Sequence, residues 1–211
     1  RGAVRSVLEH SDFEVFVAVG DPQRWRVPSN PRVTSRTVAD LPRRQGRAAP
    51  FLRKLHALAA CLVASRAERI VLMDADARFV RRIDAAAVDA ALDGHPLGMS
   101  EQPTIRGSGM TRAEFLQHYA RHSLVALGDG AAAPSLQDFR FFNSGVLLAR
   151  RNGLEAFLAW ALPRIDAPGT THQVGSHMIA DQDYLQVWSN TVRPGSCATL
   201  PWSWNHCEHW D

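Results

Sequence analysis

The sequence predicts an α/β fold: one domain with a mostly parallel central sheet and helices on both of its faces. Three observations predict it. Short apolar runs rich in β-branched residues alternate with stretches whose apolar residues recur at helical spacing. A composition of 45% hydrophobic and 21% charged residues is that of a globular chain able to bury a sizeable core. No internal repeat and no convincing linker divides the 211 residues, so a single domain over 1–211 is expected.

In chain order, Val4, Val7 and Leu8 recur at helical spacing, and Glu14-Val-Phe-Val-Ala-Val-Gly20 then reads as a buried strand closed by the turn Gly20-Asp21-Pro22. Pro22, Pro28, Pro31, Pro42 and Pro50 deny residues 21–50 a continuous helix, which leaves a loop with one extended piece at Val33–Val38. Phe51–Ser65 is a helix, with Leu55, Leu58, Ala59 and Leu62 at i, i+3, i+4 and i+7 and Pro50 where a first turn tolerates it. Arg69–Met73 is a second strand, and Asp74-Ala75-Asp76 follows it directly. Asp84 caps a helix to Leu92, His95–Ser100 returns as a strand, and Thr111 caps a helix to about Leu127. Gly128–Pro134 is a flexible connection, Phe139–Ala149 is extended, and Leu154–Ile165 and Asp181–Val187 are helical.

Twenty-four basic against 21 acidic residues leave a formal charge of +3, too small for a nucleic-acid binder. Arginines crowd the stretch from Arg24 to Arg47, while Lys54 is the sole lysine. The longest apolar run, Leu58–Ala64, is far below the ~20 residues that cross a bilayer. Cys61, Cys197 and Cys207 are too few and of the wrong parity for a disulfide framework, which favours a reducing, cytoplasmic compartment; Cys197 and Cys207 remain free to pair. The sequence does not begin with Met, so a Golgi lumen reached through an upstream anchor is the alternative.

Asp74 and Asp76 carry the strongest chemical signal. Two carboxylates one residue apart at a strand's end point the same way in extended backbone and can converge on a hard divalent cation. An isolated Asp-x-Asp serves equally as a turn; the apolar strand before it and the extended Ala77-Arg78-Phe79 after it favour the metal. In Phe142-Asn143-Ser144-Gly145, a side-chain amide can both donate to and accept from hydroxyls, and Gly145 admits close approach to the backbone. The same residues suit a bulge in a buried strand. Asp181-Gln182-Asp183 is a polar start to a helix, where aspartates also serve as caps.

Taken together and in this order, Asp74-Ala75-Asp76, Phe142-Asn143-Ser144-Gly145 and Asp181-Gln182-Asp183 resemble the A-type (GT-A) nucleotide-sugar glycosyltransferases, and most closely the glycogenin and bacterial galactosyltransferase group, family 8. The resemblance spans about Val4 to Leu185. It implies a single Rossmann-like domain in which Asp74 and Asp76 hold Mn²⁺ (or Mg²⁺) on a nucleotide diphosphate. Asn143, Ser144 and Gly145 would meet the sugar, and Asp181 and Gln182 would lie beside the reacting carbon with Asp183 among the substrate contacts. It further implies a basic residue at the diphosphate, for which Lys54 and Arg53 compete, and an acidic sugar contact for which Glu101 is a looser match. A third metal ligand, a late histidine, would be His206 or His209. The family's first strand should precede the helix near Ala3, and this sequence does not contain it.

Competing signals are weaker. His118-x-x-x-His122 has the spacing of a helical zinc pair, but Tyr119 stands where a zinc protease carries its glutamate base. Cys197, His206, Cys207 and His209 lack a paired Cys-x-x-Cys. No glycine-rich dinucleotide or phosphate loop and no Gly-x-Ser-x-Gly elbow is present. Trp202, Trp204 and Trp210 either line an acceptor platform or pack in the core. The expected activity is retaining transfer of a hexose from a nucleotide diphosphate sugar, of the uridine kind by resemblance, to an acceptor hydroxyl. A catalytically silent sugar- or nucleotide-binding module and a nucleotidyltransferase are the alternatives.

Overall fold

A computed structural model describes residues 2–19, 27–37, 49–102 and 110–206. The chain runs α1 (Gly2–His10), β1 (Val15–Val19), β2 (Val33–Thr37), α2 (Ala49–Ala64), β3 (Arg69–Met73), α3 (Ala85–Leu92), β4 (Leu97–Glu101), α4 (Arg112–Arg121), α5 (Ser123–Leu127), β5 (Phe142–Arg150), α6 (Arg151–Asp166), β6 (Gln173–Val174), β7 (His177–Met178), α7 (Asp181–Val187), a π turn (Trp188–Val192) and β8 (Cys197–Leu200). A short 3₁₀ turn at Trp202–Trp204 follows.

The central sheet has the order β3-β5-β4-β8. β5 runs antiparallel to β3 and β4, while β8 is parallel to β4, so three strands share one direction and β5 opposes them. The expected mostly parallel sheet is therefore mixed, with its one reversed strand in the interior. The unbroken apolar run of β5 reflects burial on both faces. Val146 and Leu148 pack with Val88 and Leu92 of α3 and with Ala198 and Leu200 of β8, whereas Leu147 and Ala149 join the larger cluster of Leu52, Leu55, Phe157, Ala161 and Leu185 from α2, α6 and α7. Helices on both faces are thus present.

β1 and β2 form a separate parallel pair, Val15 opposite Val33 through Val19 opposite Thr37. Arg32, a member of the arginine-rich stretch, donates to the carbonyls of Leu8 and Ser11 at 2.7 Å, satisfying acceptors that the end of α1 leaves open. Arg24, Arg26, Arg43, Arg44 and Arg47 lie outside the described residues.

Caps fall where the sequence puts them. Asp84 accepts from the Ala87 amide, and Thr111 and Glu114 form a reciprocal capping box. The helix expected from Thr111 to Leu127 is two helices, α4 ending at Arg121 and α5 beginning at Ser123, with His122 (φ −118°, ψ −69°) between them. The connection expected to be flexible at 128–134 begins as a turn that Arg164 joins through Asp129 at 2.6 Å. β8 and the β6–β7 hairpin are too short for periodicity to reveal.

Candidate active site

β3 ends at Met73, and its last pairing, with Val146, leaves Asp74 just past the strand, where its amide donates to the Gly145 carbonyl at 2.9 Å. That bond ties the Asp-x-Asp segment to the Asn-Ser-Gly segment of β5. Lys54, on α2, gathers the rest. Its Nζ lies 2.9 Å from Asp74 Oδ1, 2.8 Å from Asp181 Oδ2 and 3.4 Å from the Ser144 carbonyl. Among the described residues Lys54, and not Arg53, is the cation that reaches these carboxylates.

Gln182 follows Asp181 at the start of α7, and its Oε1 accepts from the Ser144 amide at 3.4 Å. Four elements, α2, β3, β5 and α7, thus place Lys54, Asp74, Asn143, Ser144, Gly145, Asp181 and Gln182 in one connected group. Asp76 is exposed next to it and acts on Asp74 as a like charge.

The electrostatics are those of a site with surplus negative charge. Burial alone would lower the Lys54 pKa, but Asp181 and then Asp74 outweigh it, and the ammonium is held above its ordinary value. Burial raises the Asp74 pKa most strongly; Lys54 opposes that, while Asp181 and Asp76 add to it. Three carboxylates stand against one ammonium. Hard oxygen donors with uncompensated charge fit a divalent cation such as Mn²⁺ or Mg²⁺.

Other expected residues sit differently. Asn143 Oδ1 accepts from the Gly145 amide at 2.8 Å and from Asn205 Nδ2 at 2.6 Å. The close approach that Gly145 permits is made by these amides, since a Cβ there would lie 2.9 Å from Asn143 Oδ1 and 3.3 Å from Asn205 Oδ1. Asn205, buried and distant in sequence, carries no signal of its own among the neighbouring Trp202, Trp204, His206 and His209. Glu101 ends β4 paired with Arg112 at 2.8 Å. Asp183, expected to touch substrate, is instead buried and turned inward, accepting from the Ala180 amide, Ser123 Oγ and His177 Nε2. His206 is exposed, with its ring 4.6 Å from that of Trp202, and is not brought into a ligand set with Asp74 and Asp76. His209, Cys207 and Trp210 lie outside the described residues. Trp202 is exposed and Trp204 packs against the α3 side of the sheet.

No three His, Cys, Asp or Glu side chains among the described residues are set to share a metal ion. None of the described helices is long and apolar enough to cross a membrane.

An α/β sheet with helices on both faces and an acidic cluster at a strand's carboxyl end is a common frame for binding phosphorylated ligands. No family model and no curated protein sequence matches this chain. Among solved structures, the apo crystal structure of mouse xyloside xylosyltransferase 1 is similar, with a TM-score of 0.54 and 18% identity over 99% of this chain and 81% of that one. At that identity the likeness is one of fold: this chain has the Rossmann-like fold of a glycosyltransferase. It bears on that fold and not on the glycogenin and bacterial galactosyltransferase group in particular.

Proposed function

We propose that the protein is a metal-dependent retaining glycosyltransferase that moves a sugar from a nucleotide diphosphate donor, of the uridine kind by resemblance, to an acceptor hydroxyl. One observation carries the reading: Lys54 ties Asp74, at the end of β3, to Asp181 and Ser144 beside the Asn-Ser-Gly segment. The glycosyltransferase fold supports it. Asp74 and Asp76 would hold the cation, with His209, outside the described residues, in place of His206 as a further ligand. When bound, that ion supplies charge stabilisation to a departing diphosphate. Lys54 adds a fixed ammonium on the same side. Asn143 and Gln182 offer amide groups to sugar hydroxyls, each already oriented by a backbone contact.

The carboxylate partners support retention. An inverting transfer needs an unengaged base opposite the leaving group. Asp181 is paired with Lys54, Glu101 with Arg112, and Asp183 is bonded inward. Gln182 is neutral and can steady a developing cation without taking a proton. An α-linked donor should therefore give an α-linked product, read from the anomeric proton coupling during turnover.

The test is release of nucleoside diphosphate from uridine diphosphate hexoses and uridine diphosphate xylose, with and without Mn²⁺. The xylose arm is included because the similar structure is named a xylosyltransferase. Asp76→Asn should lower turnover at least ~100-fold with an unchanged circular dichroism spectrum. Near-normal turnover in that variant overturns the metal assignment. Binding without turnover would mark a silent module, and pyrophosphate release from a triphosphate would mark a nucleotidyltransferase.

A further inference from the structure

α7 begins without the usual device. Its N-cap, Ala180, has no side chain able to accept a hydrogen bond, so the first-turn amides lack the cap that Ser, Asp or Asn would provide. Asp183 takes over from inside the helix, with Oδ2 accepting from the Ala180 amide at 2.8 Å. Its other oxygen accepts from Ser123 Oγ of α5 at 2.5 Å and from His177 Nε2 of β7 at 3.1 Å. An ionised carboxylate only accepts, which assigns the proton at that contact to His177 Nε2.

His177 is not alone. Its ring centroid is 4.6 Å from that of His118 and 4.8 Å from that of His122, and those two are 4.6 Å apart. His122 Nδ1 is buried with no hydrogen-bond partner among the described residues. Among the described residues, Asp183 from α7 meets His177 and is itself bonded by Ser123 from α5; on α4, Arg121 is exposed and Glu114 is engaged by Thr111. Tyr184 of α7 meets a different imidazole, His172.

We propose that His177 is a positioning residue: through Asp183 it fixes the first turn of α7, and the His118–His122–His177 cluster makes the placement of Asp181 and Gln182 depend on pH. A first proton entering the cluster has the Asp183 oxygen 3.1 Å from His177 Nε2 to meet it. A second must enter a ring less than 5 Å from the first, and among the described residues Asp183 is the carboxylate paired with these rings. The direction for His118 agrees: burial, then His177 and His122, hold its pKa below the ordinary value, against a smaller opposing pull from Asp183. When acid drives a second proton into the cluster, the rings are forced apart, His177 leaves Asp183, and the turn carrying Asp181 and Gln182 loosens. The link to activity rests on the donor-site reading given above, whereas the link to helix order does not.

The test is hydrogen exchange of the amides of residues 180–183 between pH 7.5 and pH 5, expressed as protection factors, in the metal-free full chain. The wild type should lose at least about tenfold in protection toward pH 5. His177→Gln keeps an amide donor that does not titrate, and should stay protected across the range. His118→Gln should shift the loss to lower pH, and His177→Ala should be poorly protected throughout. Should His177→Ala fail to fold, the two glutamine variants still decide the matter. Protection in the wild type that does not change with pH, or a His177→Gln profile matching the wild type, overturns the proposal. Metal-dependent turnover measured in parallel separates the two readings: its absence at every pH sinks the glycosyltransferase assignment and leaves the exchange result standing.

Discussion

The α7–β5 junction and the β1–β2 pair make an instructive contrast, because each holds a strongly apolar strand and only one is deeply built in. β5 is buried on both faces, and the approach to it is held from the side by amides of α7 and the π turn. Gln186 Oε1 accepts from the Phe142 amide at 3.2 Å while its Nε2 donates to the Phe142 carbonyl, and Asn190 treats both backbone groups of Arg140 the same way at 2.9 Å. Two side chains thus do what a neighbouring strand would do. β1, with the sequence Val-Phe-Val-Ala-Val, is buried only at Val19 and otherwise half-covered or exposed. Hydrophobicity marks both as strands; what distinguishes the region around the site is buried polar chemistry.

The largest expected effect tests that polar chemistry. Lys54→Ala leaves the Asp181 carboxylate, 2% exposed, without its cation, and should lower stability by about 3–5 kcal/mol. Adding Asp181→Asn should recover much of the loss in a denaturant titration; additive losses would show that the pair does not act as a unit. Next, Gln186→Met strips the Phe142 amide and carbonyl of their partners, and about 2–3 kcal/mol should disappear. A change below about 0.5 kcal/mol would mean that those groups find other partners. In the contrasting region, Val17→Ala removes apolar surface from a half-covered position and should cost about 1 kcal/mol. A loss matching that of Gln186→Met would erase the distinction between the two regions.

The smallest effect concerns Asp74. Its pKa is raised in the folded protein, so the stability linked to its protonated form is present below the unfolded carboxylate pKa and lost as pH rises through the folded value. Asp74→Asn should therefore slightly raise the melting temperature of the metal-free protein at pH 7, with the difference vanishing toward pH 3. Because the carboxylate is 42% exposed, solvent screening keeps the gain under ~1 kcal/mol. A variant less stable than the wild type at pH 7 would mean that the Lys54 pair outweighs burial.

Legibility followed sequence distance. Asp74 and Asp76 are read from one strand and its end, and the caps Asp84 and Thr111 from their own helices, because each rests on neighbours a few residues away. Asn143 with Asn205, separated by 62 positions, and Arg140 with Asn190, separated by 50, have no local pattern to betray them. Asp183 shows the same limit in reverse. An aspartate in the first turn of a helix looks identical whether it faces a ligand or the interior, and here Ser123 and His177 on two other elements decide.

The chain's sole lysine has a chemical consequence beyond charge. Every arginine leaves ε-amine chemistry untouched, so acylation, reductive alkylation, amine coupling to a surface or attachment of a ubiquitin-like modifier has one side-chain address in this sequence. That address is Lys54, 16% exposed and clamped between Asp74 and Asp181. Side-chain amine chemistry, as distinct from that of an α-amine, consequently reports on a single place in the fold, and a tag installed through a side-chain amine would occupy the very position where the carboxylates gather.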